Sequence, residues 1–306
     1  MNQTELAPIL YFPIKSTPLQ MEAGFHPFGK DLGAGRLDQQ CFLLDEQFDQ
    51  YIENKKQAEQ FGHWVTWNNE AKEDPKSYLR LHYLALKRLV ELQKQDLGLE
   101  APPSFKRCQT LVKQSSANQD PSEIKALSNL LYRELSNRVQ EDICVLMQQP
   151  RSSLIMGHIC TPSFWDPTHV KNASFWDIHQ PIPGFPRDER VSSRLADYIS
   201  RKGPFVRFVW TLTADAKLDQ HPRHPRHSWH TAQEIWYRVE RQTTIPLQDL
   251  GAIFLIRTYV HPLTRLSRAQ RSLLRKSIEI MPKEISEYKG LSELQNSNRL
   301  LNLIEA

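Results

Sequence analysis

The sequence predicts an α+β protein in which a five-stranded, mainly antiparallel sheet lies between an N-terminal helical region and C-terminal helices. Three observations carry this. Residues 44–140 repeat apolar side chains largely at helical spacing; residues 141–262 hold five β-rich runs broken by turns and one helical pattern; residues 267–304 return to helical spacing. The corresponding regions are 1–140, 141–264 and 265–306.

Taken in order, 44–60 opens with an acidic turn and continues with apolar residues at helical intervals. The next helix is clearer: Asp74 is its expected cap, Pro75 its first residue and Gly98 its stop, with His82 as a packing residue. APPSFKRCQTLVKQSSANQDP (101–121) is rich in Pro, Ser and Asn and reads as a surface excursion or joint. A third helix covers 122–140. EDICVLMQQPRSSLIMGHICTP (141–162) then reads as two strands joined by a turn containing Pro150, with Met147 as another packing residue. A helical crossover at 187–202 leads to three further strands, PFVRFVWTLT, EIWYRVERQTTIP and AIFLIRTYVHP. Residues 267–282 and 292–304 form the helical tail.

Composition narrows the function. The 39 basic residues exceed the 35 acidic ones only slightly, and the excess is dispersed, so nucleic-acid binding is not expected. Cys41, Cys108, Cys144 and Cys160 lie far apart, which argues against a zinc ribbon or an iron–sulfur cluster. The expectation is a reduced, cytoplasmic protein without a signal peptide or membrane span. There is no GxGxxG fingerprint and no P-loop.

Three stretches carry candidate chemistry. HPRHPRHSWH spaces His221, His224, His227 and His230 three apart, and in polyproline II all four would share one edge, as a zinc or nickel site requires. Arg223 and Arg226 repel a cation, so the expectation is a solvated surface loop without functional metal. In the crossover, His179 is surrounded by Phe164, Trp165, Phe175, Trp176 and Phe185, a rigid apolar wall around a single donor. That suits a flat macrocycle whose iron takes an axial imidazole; a core histidine bonded to backbone is the alternative. His158, on a strand, and His169, beside the Asp166-Pro167 turn, have ordinary structural explanations. Finally, RVERQTTIP alternates Arg238, Glu240 and Gln242 on one strand face with Tyr237, Val239 and Arg241 on the other. Its charges are therefore solvated, paired with partners such as Arg207 or Arg257, or part of a pocket.

EDICVLM (141–147), IHQPIPGF (178–185), VERQTTIP (239–246), FLIRTYVHPL (254–263) and MPKEISEYKG (281–290) together resemble the haem-dependent oxidative N-demethylase family, in its haem-binding alpha subunit. AGFHPFGKDLGAGRLDQQCFLLDEQFDQY (23–51) is also similar to the family's opening. The resemblance implies a PAS-like domain holding haem b, which uses dioxygen and external electrons to demethylate a small secondary amine such as dimethylamine, releasing formaldehyde. It implies His179 as axial ligand, Trp176 beside the haem, and Arg207, Glu240, Arg241, Arg257 and Tyr259 on the polar side of the pocket, with His26 as the alternative ligand. A methylated amine is cationic, so a carboxylate such as Glu240 would hold it and serve as a proton source, while arginine or tyrosine donors would stabilise negative charge. Electrons would arrive from a separate flavin or iron–sulfur reductase, and self-association into a homo-oligomer is compatible with the pattern. Val170 and Asn172 stand where the family has Lys and Gly, and Val209 where it has Asn, which leaves the amine open. A haem-binding PAS-type sensor without turnover is the alternative function, and a cofactor-free interaction module a third.

Overall fold

The computed structural model describes residues 9–14, 24–61, 64–66, 75–114, 121–148, 152–170 and 173–305. Asp74, Pro150 and Asn172, each singled out above, lie outside them. Among the described residues the strands are β1 (His26–Pro27), β2 (Trp64–Thr66), β3 (Asp142–Met147), β4 (Ser153–His158), β5 (Phe205–Thr213), β6 (Trp236–Pro246) and β7 (Gly251–Pro262). They form one sheet in the order β1-β5-β6-β7-β3-β4-β2, and every pairing is antiparallel. The five expected strands are its body; β1 and β2 add a short strand at each edge, where two or three residues are too few for a period-2 pattern to show.

The helices are α1 (Phe48–Gln60), α2 (Pro75–Leu97), α3 (Pro103–Gln114), α4 (Pro121–Ser136), α5 (Phe175–His179), α6 (Glu189–Arg201), α7 (Arg268–Glu279), α8 (Lys283–Lys289), α9 (Ser292–Gln295) and α10 (Asn298–Glu305). α2 ends as expected, with Gly98 in the left-handed region (φ 69°) and its N–H on the Lys94 carbonyl. Of the stretch expected as a surface excursion, Pro103–Gln114 instead folds as α3, while residues 115–120 lie outside the described residues. Its prolines are not breakers, because Pro103 occupies the first helical position, and Phe105 and Cys108, three apart, are buried. The expected C-terminal pair of helices is divided into four: α8 stops at Gly290 (φ 70°), and α9 and α10 follow.

Both large apolar clusters load the same face of the sheet. Ile143, Val145, Ile253 and Leu255 pack with Leu81, Leu89, Leu131 and Leu135 of α2 and α4. Further along, Trp210, Tyr237, Val239 and Tyr259 pack with Leu274, Ile278, Leu300 and Ile304 of α7 and α10. β7 lies close enough to β3 at Gly251 that a Cβ there would collide with the Leu146 carbonyl, so this register requires glycine.

Buried charge ties the N-terminal region to this face. Arg257 donates to Asp45 at 2.7 Å, with the side chains 0% and 2% exposed. Lys55, also buried, donates from Nζ to the carbonyls of Ser136, Val139 and Glu141 at 2.9, 3.0 and 2.6 Å, satisfying the chain just past α4. Burial pushes the Lys55 pKa down, against the pull of Asp142. Removing one partner of a buried pair strands the other. Asp45→Ala is therefore expected to lower unfolding free energy by about 3–5 kcal/mol in urea titration, and a loss below about 1 kcal/mol would contradict the assignment.

His82 and His158 are buried, and burial pushes both imidazoles down to about 4. Their folded pKa lies below the unfolded value of about 6.5. The unfolded chain therefore binds more protons in this window, and stability is complete above pH 6.5 and falls as the pH drops towards 4. Each histidine contributes a slope of roughly 1.4 kcal/mol per pH unit. Burial pushes the carboxyls of Glu141 and Asp142 up, and these act in the opposite direction, so the test is a comparison. The fall in urea midpoint from pH 7 to pH 5 is expected to be smaller in His82→Phe than in the parent, and an equal fall would contradict a buried neutral His82.

Candidate functional site

With the helices on one face, the other is left to the β4–β5 crossover. Alternation places Arg207, Val209 and Thr211 of β5, Arg238, Glu240 and Gln242 of β6, and Phe254, Ile256 and Thr258 of β7 on that side, with Arg207 opposite Gln242, Val209 opposite Glu240 and Glu240 opposite Thr258. Phe254 and Cys144 pack there with Trp165, Val170 and Ile178 of the crossover.

His179 closes α5, a helix of one turn whose start is fixed by a capping box: Ser174 Oγ accepts from the Asp177 N–H at 3.1 Å, and Asp177 Oδ2 from the Ser174 N–H at 2.9 Å. His179 Nδ1 lies 2.7 Å from the Phe175 carbonyl. A carbonyl can only accept, so Nδ1 carries the proton and Nε2 keeps its lone pair. The ring lies 4.2 Å from Phe175 and stacks on Phe185 at 5.3 Å. Burial, with the Arg207 charge acting in the same direction, pushes the His179 pKa down to about 4, so the imidazole is neutral at neutral pH.

Beside it are donors without acceptors. Arg207 Nε and Trp176 Nε1 are buried with no hydrogen-bond partner among the described residues. Burial lowers the Arg207 pKa against the raising influence of Glu240 and Tyr288. Glu240 is held at both oxygens: Ser163 donates to Oε1 at 2.5 Å and Gln242 Nε2 to Oε2 at 2.9 Å. From the C-terminal side, Lys289 donates to the Trp210 carbonyl at 2.5 Å while Thr211 Oγ1 donates to the Lys289 carbonyl. Burial pushes Lys289 down to about 8, with Glu240 pulling upward and Arg207 downward. The structure thus brings His179, Trp176, Arg207 and Glu240 to one side of the sheet. It adds Ser163, Tyr288 and Lys289, to which the residue-by-residue reading gave no role. MPKEISEYKG among the resembling stretches was the available signal for the latter two.

Arg241, Arg257 and Tyr259, expected in the same pocket, face the other way. Arg241 pairs directly with Arg257, and Val239 with Tyr259, on the helix-covered face. There Arg241 donates to the Gln40 carbonyl at 2.9 Å and Arg257 to Asp45. The cause is period 2: neighbours on a strand cannot share a face, so Glu240 and Arg241 are separated by the sheet. His26 pairs with Val206, which puts it opposite to the Arg207 face.

The four loop histidines do not converge. His221, His224, His227 and His230 lie 3.2, 3.2, 3.7 and 3.4 Å from Asp166, Asp219, Asp215 and Glu293 respectively. Arg223 and Arg226 stack on Phe61 and Phe164 at 4.0 and 4.1 Å. A cleft of about 300 Å³ beneath the loop is lined by charges of both signs, Asp215, Arg226 and Glu293 among them. Among the described residues, no group of three or more His, Cys, Asp or Glu is placed to hold a metal ion, and no helix is long and apolar enough to cross a membrane.

A family model described as haem-dependent oxidative N-demethylase, alpha subunit-like, matches residues 36–298. No curated protein matches the chain.

Proposed function

Because the chain belongs to the haem-dependent oxidative N-demethylase, alpha subunit-like family, we propose that it binds haem b between the crossover and the sheet and demethylates a small secondary amine of the dimethylamine type. The net reaction joins the amine, dioxygen, two electrons and two protons to give the demethylated amine, formaldehyde and water. The electrons come from a separate partner carrying flavin or an iron–sulfur centre, in keeping with an alpha subunit-like chain and with four cysteines that are buried and unpaired. A reduced cytoplasmic setting agrees with those thiols. The order of two strands, helical crossover and three strands supports the PAS-like reading.

The observation that carries the proposal is His179. An axial ligand needs a neutral imidazole at fixed tilt with its second nitrogen held, and the Phe175 carbonyl holds Nδ1 while Nε2 keeps its lone pair. The orphaned donors Arg207 Nε and Trp176 Nε1 also fit a ligand that brings carboxylates and oxygen chemistry to this face. Haem bound here would supply dioxygen activation and one-electron chemistry. The chain's own side chains do the rest. Glu240 accepts the N–H of the substrate ammonium and can take its proton, Arg207 donates where negative charge gathers, and Phe175, Phe185 and Trp165 limit water. Val209, directly across from Glu240, offers no hydrogen bond to the amine.

His179→Ala is expected to lose haem, or to give an altered absorption spectrum that added imidazole partly restores, while replacements of His158 and His169 leave it unchanged. A normal spectrum in His179→Ala with loss in His26→Ala would overturn the ligand assignment. Glu240→Gln is nearly isosteric and removes only charge. It should retain haem yet weaken dimethylamine binding by roughly 1.5–3 kcal/mol. An unchanged affinity would remove Glu240 from the site.

A further inference from the structure

Glu240 lies on a strand, yet the group that fixes its nearer oxygen comes from the start of the crossover. Ser163 Oγ donates its only proton to Glu240 Oε1 at 2.5 Å and accepts from Arg238 Nε at 2.8 Å. A hydroxyl can rotate; here the arginine, which can only donate, obliges it to point its proton at the carboxylate. Arg238 is itself 1% exposed and braced by the Thr161 carbonyl at 2.7 Å.

The backbone that presents Ser163 is strained. Phe164 has φ 66°, a left-handed conformation that a bulky residue adopts only under constraint. The constraint is visible: Gln220 clasps the turn from both sides, accepting from the Phe164 N–H at 3.2 Å and donating to the Pro162 carbonyl at 3.2 Å. Thr161, just upstream, is fixed to Asp142 Oδ2 through its N–H at 2.9 Å and its hydroxyl at 2.7 Å. So much fastening of one short turn leaves the Ser163 hydroxyl at a defined point above Glu240.

We propose that Ser163 is a positioning residue for Glu240, its hydroxyl turned by Arg238 so that the carboxylate presents one fixed orientation to a cationic amine. This rests on the reading of Glu240 as the amine-binding carboxylate. Gln242 restrains the second oxygen at 2.9 Å, so the carboxylate cannot spin without breaking two hydrogen bonds, and its remaining lone pairs are aimed.

Calorimetric titration of haem-loaded protein with dimethylamine tests this. Ser163→Ala should lower affinity about tenfold, the order expected for losing one charge-assisted hydrogen bond, with haem content unchanged. Ser163→Thr, which keeps the hydroxyl, should stay within about twofold of the parent. If Ser163→Ala does not fold, Ser163→Cys, with similar volume but only a weak donor, takes its place in the same comparison. Parental affinity in the Ala or Cys variant, while Glu240→Gln is weakened, would overturn the positioning role. So would Thr failing to rescue, since that marks a packing effect. Parental affinity in Glu240→Gln would instead refute the amine-site reading itself, and the role of Ser163 with it.

Discussion

A continuous chain of hydrogen bonds runs across the crossover face of the sheet, from Asp142 through Thr161 and Arg238 to Ser163, Glu240 and Gln242. It is what permits charge in the middle of a buried sheet. Arg238 and Asp142 are each 1% exposed, and an isolated ion at such depth would cost several kcal/mol. Here the guanidinium finds a carbonyl and a hydroxyl, and one Asp142 oxygen finds two N–H groups and a hydroxyl. The crossover cannot be displaced without breaking this chain, so the network that makes burial tolerable also holds the segment leading to His179 against the strands.

The two faces divide the labour. Helices from both ends of the chain cover one side, where Arg241 and Arg257 are opposed on neighbouring strands. Like charges so placed repel, and the pair persists because Asp45 and the Gln40 carbonyl engage one guanidinium each. That side ties the N-terminal region to the sheet, although Arg241 Nε, Arg257 Nε and Nη1 and the hydroxyls of Tyr237 and Tyr259 have no hydrogen-bond partner there among the described residues. Among the described residues the other side has no helical layer of comparable size, and there Arg207 Nε and Trp176 Nε1 find no acceptor.

Local pattern made much of this legible. Pro75 and Gly98 delimit α2, the alternation of RVERQTTIP correctly opposes Glu240 to Arg241, and of the aromatics expected around His179, Phe175 and Phe185 flank its ring while Phe164 lies against Arg226 instead. What stayed hidden depends on contacts distant in sequence. Nothing local says that Tyr288 and Lys289 return to the edge of β5 beside Glu240, or that Ser163 reaches a carboxylate 77 residues away. Grouping Arg257 and Tyr259 with Glu240 failed for a related reason: alternation assigns faces within a strand, whereas the register between β6 and β7 decides which residues of each share a side. The proline-rich 101–121 misled because proline breaks a helix interior but begins a helix readily.

The central claim is that iron is held on the crossover face by His179. Crystals of haem-loaded protein, measured at the iron absorption edge, would locate the metal directly in an anomalous difference map. The account predicts a single peak within bonding distance of His179 Nε2, on the same side of the sheet as Arg207 and Glu240. A peak on the opposite face beside Arg241, Arg257 and Tyr259, or one bonded to His26, would contradict it.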